Sequence, residues 1–477
     1  MKTLMIVLNS VSHDNRVLKS AHSLESLKHE IQIYGMSADK ELKTKPVLKK
    51  ISNLPVRLFP NPGYFLSGVK SRVDRWKFMV DYFMTSMLVY AEQMSPEIVY
   101  THDYNTILIG KKIVNSLRAQ GKFVYWIHDL HEYVRGLTTT DNEIRQLALE
   151  HEIECVHKPD LLITISPMLS RKLTQEYRLS NPPKVLINAP KYSMFNLHYE
   201  PTVRQMVGLE KDVPLIVYVG GVARARGVHT VVDALPKLPG VHLVLVTNNQ
   251  GDYIESLKSS AESYQCSGRL HIIPYVPAEM VSSAVRDATV AIHPMIHYPN
   301  AEIALPNKLF EYMHSGVPII VSDCNSMARF VRKWKVGEVF EAENIDHLAN
   351  VIKCVMDNRD AYVRHIQGFS ILNQYFSWEN QDSFFNIVNQ DIQKKYNFFR
   401  QQDGSNIVQN SLENLDNPSN DDFFDIFYDA SLTNSLFCKY YYCCGKAQLD
   451  EGKFTEAEQS FYLASKFEYS SNLADLT

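Results

Sequence analysis

Short apolar runs alternate with amphipathic stretches along this chain to about residue 395, and that alternation limits its fold more than any other feature. Residues 4–8 read as a strand. Leu18, Ala21, Leu24 and Leu27 then recur at helical spacing, and I-Q-I-Y-G follows as a second strand. Strands separated by helices do not pair as hairpins, so the pattern favours a parallel sheet covered on both faces. It continues through I-V-Y-T-H-D-Y, F-V-Y-W-I-H-D-L-H-E-Y and L-L-I-T-I-S. Periodicity is lost across residues 191–212, where Pro201 stands, and resumes with P-L-I-V-Y-V-G-G. We therefore expect an α/β protein with one domain over residues 1–190, a link over 191–212, a second domain over 213–395, and a cleft between the two.

A chain of 477 residues with 45% hydrophobic composition can fill more than one core. Its formal charge of -4 gives no case for a nucleic-acid partner. No apolar run reaches the roughly 18 residues needed to span a membrane. Met1 leads directly into K-T-L-M-I-V-L-N, without the pattern of a secretory signal. The seven cysteines, an odd number without paired metal-ligand spacing, point to reduced thiols and a cytoplasmic location.

Ligands of open α/β sheets gather where strands end, so the polar residues after each apolar run are the first candidates. After the first strand stand His13, Asp14, Asn15 and Arg16; they either touch a ligand or cap the next helix. No G-x-G-x-x-G is present, which removes support for a dinucleotide site. Two further strand ends carry His102 with Asp103, and His128 with Asp129, His131 and Glu132. Imidazoles beside carboxylates suit proton transfer or metal binding, but the H-E-x-x-H spacing is absent and we expect no metal. In the second half, Gly220, Gly221 and the loop V-A-R-A-R-G-V precede a helix from residue 229. Backbone N–H groups and the helix dipole would hold a phosphate there, with Arg224 and Arg226 adding charge. The alternative is a glycine-rich turn whose arginines face water.

Residues 302–323 read E-I-A-L-P-N-K-L-F-E-Y-M-H-S-G-V-P-I-I-V-S-D. Pro306 suits the first position of a helix that Gly316 and Pro318 close. Lys308 and Glu311 share one face, while Leu309, Phe310 and Met313 can pack. A lysine in the first turn opposes the helix dipole, so its placement fits a bound anion such as phosphate. Glu311, one turn further on, is placed to accept from hydroxyls.

The run L-P-N-K-L-F-E-Y-M, with S-G-V-P-I-I-V-S-D after it, resembles the donor-binding signature of retaining glycosyltransferase family 4, enzymes of the GT-B fold. The resemblance covers roughly residues 1–395. It implies two Rossmann-like domains facing a cleft, and transfer of a sugar with retention from a nucleotide-sugar donor to a hydroxyl of a glycan, a lipid-linked acceptor or a similar molecule. It further implies that Leu305, Pro306, Asn307 and Lys308 line the donor, Lys308 facing the diphosphate and Glu311 holding the ribose. The family places an acid that touches the sugar eight residues before that glutamate. Here Ile303 occupies the position and Glu302 stands one residue away. Arg226-Gly227 replaces the family's lysine-glycine, and Gly221 stands where an arginine is common, with Arg224 as its substitute. H-D-L-H-E is similar to the segment whose histidine leans over the donor sugar, which gives His128. The catalytic set is then His128, Arg226, Lys308 and Glu311, with no protein nucleophile and no cofactor. Acceptor-side candidates are His13, Asn15, Arg16, His102, Asp103, His131 and Glu132. A nucleotide-sugar epimerase on the same fold, or a non-catalytic scaffold that binds a sugar nucleotide and a protein partner, would use the same residues.

Four segments stand outside this scheme. Residues 40–50 read as a basic connector. Residues 65–90 read as a helix mixing Lys70, Arg72, Arg75 and Lys77 with Trp76 and Phe78; it is either a peripheral membrane contact or a solvated surface helix. Residues 396–432, rich in Asp and Asn, read as a linker. Over 433–477, Tyr441, Gly445, Gly452, Phe454, Ala457, Phe461 and Ala464 have the spacing of one tetratricopeptide unit. This short all-α tail cannot bury its own apolar face and would dock on the body or on a protein partner; a plain helical hairpin is the alternative.

Overall fold

The computed structural model describes residues 1–42, 45–65, 70–138, 141–191, 199–368 and 375–403. These form two compact units, Met1–Asn188 with a helix that starts at Trp378, and Ala189–Ser377. The tetratricopeptide-like tail and residues 404–432 of the expected linker lie outside the described residues.

The first unit holds strands β1 (Lys2–Ile6), β2 (Glu30–Met36), β3 (Val47–Ile51), β4 (Leu54–Phe59), β5 (Ile98–His102), β6 (Tyr125–Leu130), β7 (Leu161–Thr164) and β8 (Lys184–Val185). Their order is β3-β4-β2-β1-β5-β6-β7-β8. Every pairing is parallel except β3 with β4. Side chains of a strand alternate between faces, and here each face has its own cover. Leu4 and Ile6 pack with Phe83, Ile109 and Ile113 of helices α2 (Arg72–Met94) and α3 (Ile107–Ala119). Met5 and Val7 pack with residues of helix α1 (Asn15–Ser26) on the other side.

Two expectations change in this unit. The basic connector ends in an edge strand: Ser52 (φ 49°) and Asn53 (φ 65°) turn β3 back onto β4, both with the positive φ of a tight hairpin. Leu54, Val56 and Leu58 supply the apolar anchor, and exposed Lys49 and Lys50 guard the outer edge. The helix expected over 65–90 is α2, shifted toward the C-terminus. It buries Trp76, Val80, Phe83, Met87 and Ala91 at helical spacing while Lys77 and Phe78 stay exposed. No helix among the described residues is long and apolar enough to cross a membrane.

The second unit has strands β9 (Leu215–Val219), β10 (His242–Val246), β11 (Leu270–Ile273), β12 (Val290–His293), β13 (Ile319–Ser322) and β14 (Gly337–Phe340). They are all parallel, in the order β11-β10-β9-β12-β13-β14. The order reverses between β9 and β12, and in the first unit between β1 and β5; ligands of such sheets bind outside the strand ends at these points.

The unit boundary falls after Asn188, at the start of the expected link. The later part of that link is structured: Thr202 and Gln205 form a reciprocal capping box on the helix Val203–Met206, and buried Arg204 donates to the carbonyls of Glu210, Val213 and Asp287. At the other end, the helix Trp378–Asp403 runs through residues 396–403, which the sequence placed in the linker. It also groups with the first unit rather than the second. Its Trp378, Phe385, Val388 and Ile392 are buried with Leu24 and Ile127, and Trp378 Nε1 donates to Ser23 Oγ over 2.9 Å.

Candidate functional site

In the second unit the chain leaves β9 through Gly220 (φ 147°) and Gly221, makes one 3-10 turn over Arg224–Arg226, and enters the helix Val228–Ala234 through Gly227. Gly227 has φ 69°, and a Cβ there would stand 1.7 Å from the carbonyl oxygen of Pro294, so only glycine lets this turn lie against the end of β12. The loop is pinned by Tyr218, which donates to Gly221 O (2.7 Å), and by Asn249 Oδ1, which accepts from Val222 N–H (3.0 Å). Arg224 is exposed; Arg226 is half-buried and brings Nη1 to 3.8 Å from Met295 Sδ.

The short helix Asn307–His314 begins one residue later than the sequence suggested, with Pro306 as its N-cap and no side chain capping it. Tyr312 is fully buried and its hydroxyl accepts from Val219 N–H at 2.8 Å, which ties this helix to the end of β9. Lys308 Nζ donates to Glu311 Oε2 at 2.7 Å, and Asn307 Nδ2 to Glu311 Oε1 at 3.1 Å. Glu311 is buried, and each of its oxygens retains acceptor capacity beyond these bonds. Leu305 is buried beside them, and Pro306 and Asn307 are half-buried.

One residue of this region that sequence reasoning missed is His293, the last of β12. It is 4% exposed, and its ring lies 5.9 Å from that of Tyr218 at an interplanar angle of 18°. Burial, reinforced by the positive charges of Arg226 and Lys308, holds it down to about 3, so the ring is neutral at physiological pH. The H-P-M that ends the apolar run T-V-A-I was the available signal.

Glu302 is committed elsewhere. Its Oε2 accepts from the backbone N–H (3.0 Å) and the side-chain amide (2.8 Å) of Asn325, capping the helix Asn325–Trp334, and its other oxygen pairs with His297. His297 also bonds Asp323 at 2.9 Å. Hydrogen bonding to Glu302, and then the charges of Asp323 and Glu302, raise the His297 pKa despite some burial. A neighbouring thiol, Cys324, comes within 4.8 Å of His297 and Glu302. It is buried, and burial pushes its thiol up to about 11.

The first unit sorts its candidates differently from the sequence reading. Arg16, proposed on the acceptor side, is buried; Nε and Nη2 donate to Asp129 at 2.7 and 2.9 Å, and Nη1 to Leu186 O at 2.7 Å. His102, also buried, stands 3.4 Å from the same carboxylate. Although burial opposes it, Arg16 and His102 hold Asp129 well below the usual carboxylate range. These contacts fasten the helix Asn15–Ser26 to the ends of β5, β6 and β8. His128 is likewise inside the sheet, fully buried, with Nδ1 2.7 Å from Thr101 Oγ1. Burial lowers it to about 3, against the charge of Asp129, so the ring is neutral, and its Nε2 has no hydrogen-bond partner among the described residues.

His131 lies just beyond the end of β6 and faces Asp103 across 3.9 Å, with the two side chains 25% and 21% exposed. Burial works against its protonation, yet the carboxylates of Asp103 and Asp129 hold its pKa above the ordinary value. Glu132 is half-buried beside it. His13 and Asn15 are exposed, and Asp14 caps the helix Asn15–Ser26 by accepting from Val17 N–H at 3.1 Å.

Residues 200–368 match the family model of glycosyl transferases, group 1, so the second unit carries a glycosyltransferase group 1 domain. A curated relative, an uncharacterized glycosyltransferase of Methanocaldococcus jannaschii, is 21% identical over 323 residues, covering 63% of this chain and 79% of its own. Among solved structures, a sucrose-phosphate synthase from Thermosynechococcus elongatus superposes with a TM-score of 0.65 at 15% identity, over 83% of this chain and 100% of that one. HepE of Anabaena, in complex with UDP and glucose, gives 0.62 at 14% identity over 82% and 100%. At these identities the likeness is one of fold: two parallel-sheet α/β domains like those of GT-B glycosyltransferases.

Proposed function

We propose that this protein moves a sugar, with retention of configuration, from a nucleotide-sugar donor to a hydroxyl of a glycan, glycolipid or related acceptor. The observation that carries this reading is the meeting of Arg226, Lys308 and Glu311 near the ends of β9 and β12, where the sheet order reverses, inside the stretch matched by the glycosyl transferases group 1 model. The UDP and glucose held by HepE are the same ligand chemistry.

In this reading the diphosphate lies against the Gly220–Gly227 turn and the uncapped start of Asn307–His314, where backbone N–H groups face an anion. Arg226, Arg224 and Lys308 meet the charge that develops on the departing diphosphate. Glu311, oriented by Asn307 and Lys308, uses its remaining lone pairs for the ribose hydroxyls. The acceptor hydroxyl attacks from the face the diphosphate leaves and gives its proton to a phosphate oxygen, so no protein nucleophile takes part. Of the acceptor-side candidates in the first unit, His131 and Asp103 stay partly exposed past their strand ends, whereas Arg16 and His102, like His128, are buried.

The test is transfer from a panel of nucleotide sugars to glycan and lipid-linked acceptors, with the product anomer read by NMR. Transfer with the donor's configuration is expected. Isomerisation of the donor without an acceptor would instead identify an epimerase, and an inverted product would remove the retaining assignment.

A further inference from the structure

His293 is 4% exposed, and neither ring nitrogen has a hydrogen-bond partner among the described residues. A buried polar group left unpaired costs roughly 1–3 kcal/mol, so a position that keeps one points to a partner arriving from outside. The surroundings specify that partner. Pro294, the next residue, is the one Gly227 closes on, and Arg226 reaches Met295 beyond it. Tyr218, stacked on the ring, has its own hydroxyl committed to Gly221 O. Charge reaches the ring from the 3-10 turn through Arg226 and from the helix Asn307–His314 through Lys308. Tyr218 on β9 is kept protonated by burial, and Glu311 is engaged by Lys308. A neutral, unpaired imidazole within reach of the charge of two cations at a sheet switch point suits a polyanion.

We propose that His293 contacts the diphosphate of the bound nucleotide sugar: a ring N–H meets a phosphate oxygen, and the ring gains one proton from solvent as that negative charge enters beside Arg226 and Lys308. The inference rests on the glycosyltransferase reading above. Without nucleotide an imidazolium would be repelled by both cations and penalised by burial. Diphosphate reverses the local field and supplies the missing acceptor. The charged ring then adds a third positive group to the leaving diphosphate, one that is present only when the donor is bound.

The experiment is a 15N spectrum of the histidine rings of the full chain, without nucleotide and with UDP, ADP, GDP and CDP in turn. His293→Gln or His293→Asn, whichever retains the wild-type circular dichroism, assigns the signal by its loss. The expected result is a neutral ring in the free protein, an imidazolium pattern with the nucleotide that binds, and an affinity for that nucleotide lowered about tenfold or more in the variant. A nucleotide that binds while the His293 signals stay neutral, or that binds the variant as well as wild type, overturns the role of His293 alone. Failure of all four nucleotides to bind overturns the donor-site reading and this inference with it.

Discussion

At the scale of single residues, what separates site from scaffold is whether a polar group is already engaged by another part of the chain. Arg16 and Asp129 are a closed, buried pair, and removing one partner of such a pair leaves an uncompensated buried charge. Asp129→Asn should therefore cost the first unit about 3–5 kcal/mol in urea unfolding. Glu311 is the opposite case, since its two bonds come from neighbours on its own helix and leave acceptor capacity. Charge-assisted bonds to ribose are each worth about 1.5–3 kcal/mol, so Glu311→Ala should weaken donor use by roughly ten- to several hundred-fold. Wild-type donor affinity and turnover in the folded variant would remove that assignment. Glu152 gives a pH signature: burial first, then the charges of Glu176 and Asp103, push it up to about 7, against a hydrogen bond from Tyr177. Its folded pKa is raised above the unfolded value of 4.5, so its contribution to stability is complete below that value and is lost as pH rises toward 7. The loss amounts to about 1.4 kcal/mol per pH unit across that window. Glu152→Gln should gain on wild type between about pH 5 and 8; a difference in unfolding free energy that does not change with pH would rule this out.

At the scale of elements, the turn from β9 into Val228–Ala234 depends on one glycine. Gly227 combines a left-handed φ with contact against Pro294, whereas a Cβ at Gly221 would have only Asn249 Oδ1 within 4 Å, at 3.7 Å. Alanine at Gly227 should lower the stability of the second unit by more than the 1–3 kcal/mol typical of a strained backbone, because the backbone must also move away from Pro294. Alanine at Gly221 should change stability by less than about 0.5 kcal/mol. Thermal melts of the two variants compare them directly, and equal melting temperatures would show that the turn tolerates a side chain. The glycines and the arginines between them were legible from the sequence as a strand, loop and helix start. The contact that makes Gly227 indispensable was not, because it lies 67 positions away from Pro294 along the chain.

At the scale of the whole molecule, the helix Trp378–Asp403 decides where the chain can be cut. Trp378, Phe385, Val388 and Ile392 each bury a large side chain in the first unit, worth roughly 1.5–3 kcal/mol apiece. A chain ending at Ser377 should lose the cooperative unfolding of the first unit, whereas a chain ending at Asp403 should keep it and still bind nucleotide. Nucleotide binding lost on cutting after Asp403, in a protein with wild-type circular dichroism, would place the tail in the site. The sequence showed this stretch as closing helices; which unit they close was decided by an apolar stripe whose partners, Leu24 and Ile127 among them, lie hundreds of residues earlier.

The sequence by itself determined the kinds of element and their alternation, the break near residue 190, the polar residues at the strand ends, and the helix on which Lys308 and Glu311 share a face. These follow from local periodicity and turn chemistry, which act over a few residues. Only the tertiary structure decided which of those polar residues are free to work. In H-D-L-H-E, His128 lies within β6 and is fully buried, while His131 stands past the strand end at 25% exposure. Arg16 finds Asp129 across 113 positions, and Glu302 finds Asn325 across 23. Hydrogen bonds and ion pairs of this range are fixed by the packing of whole sheets and helices, so the residue types are written in the sequence but their commitments to one another are not.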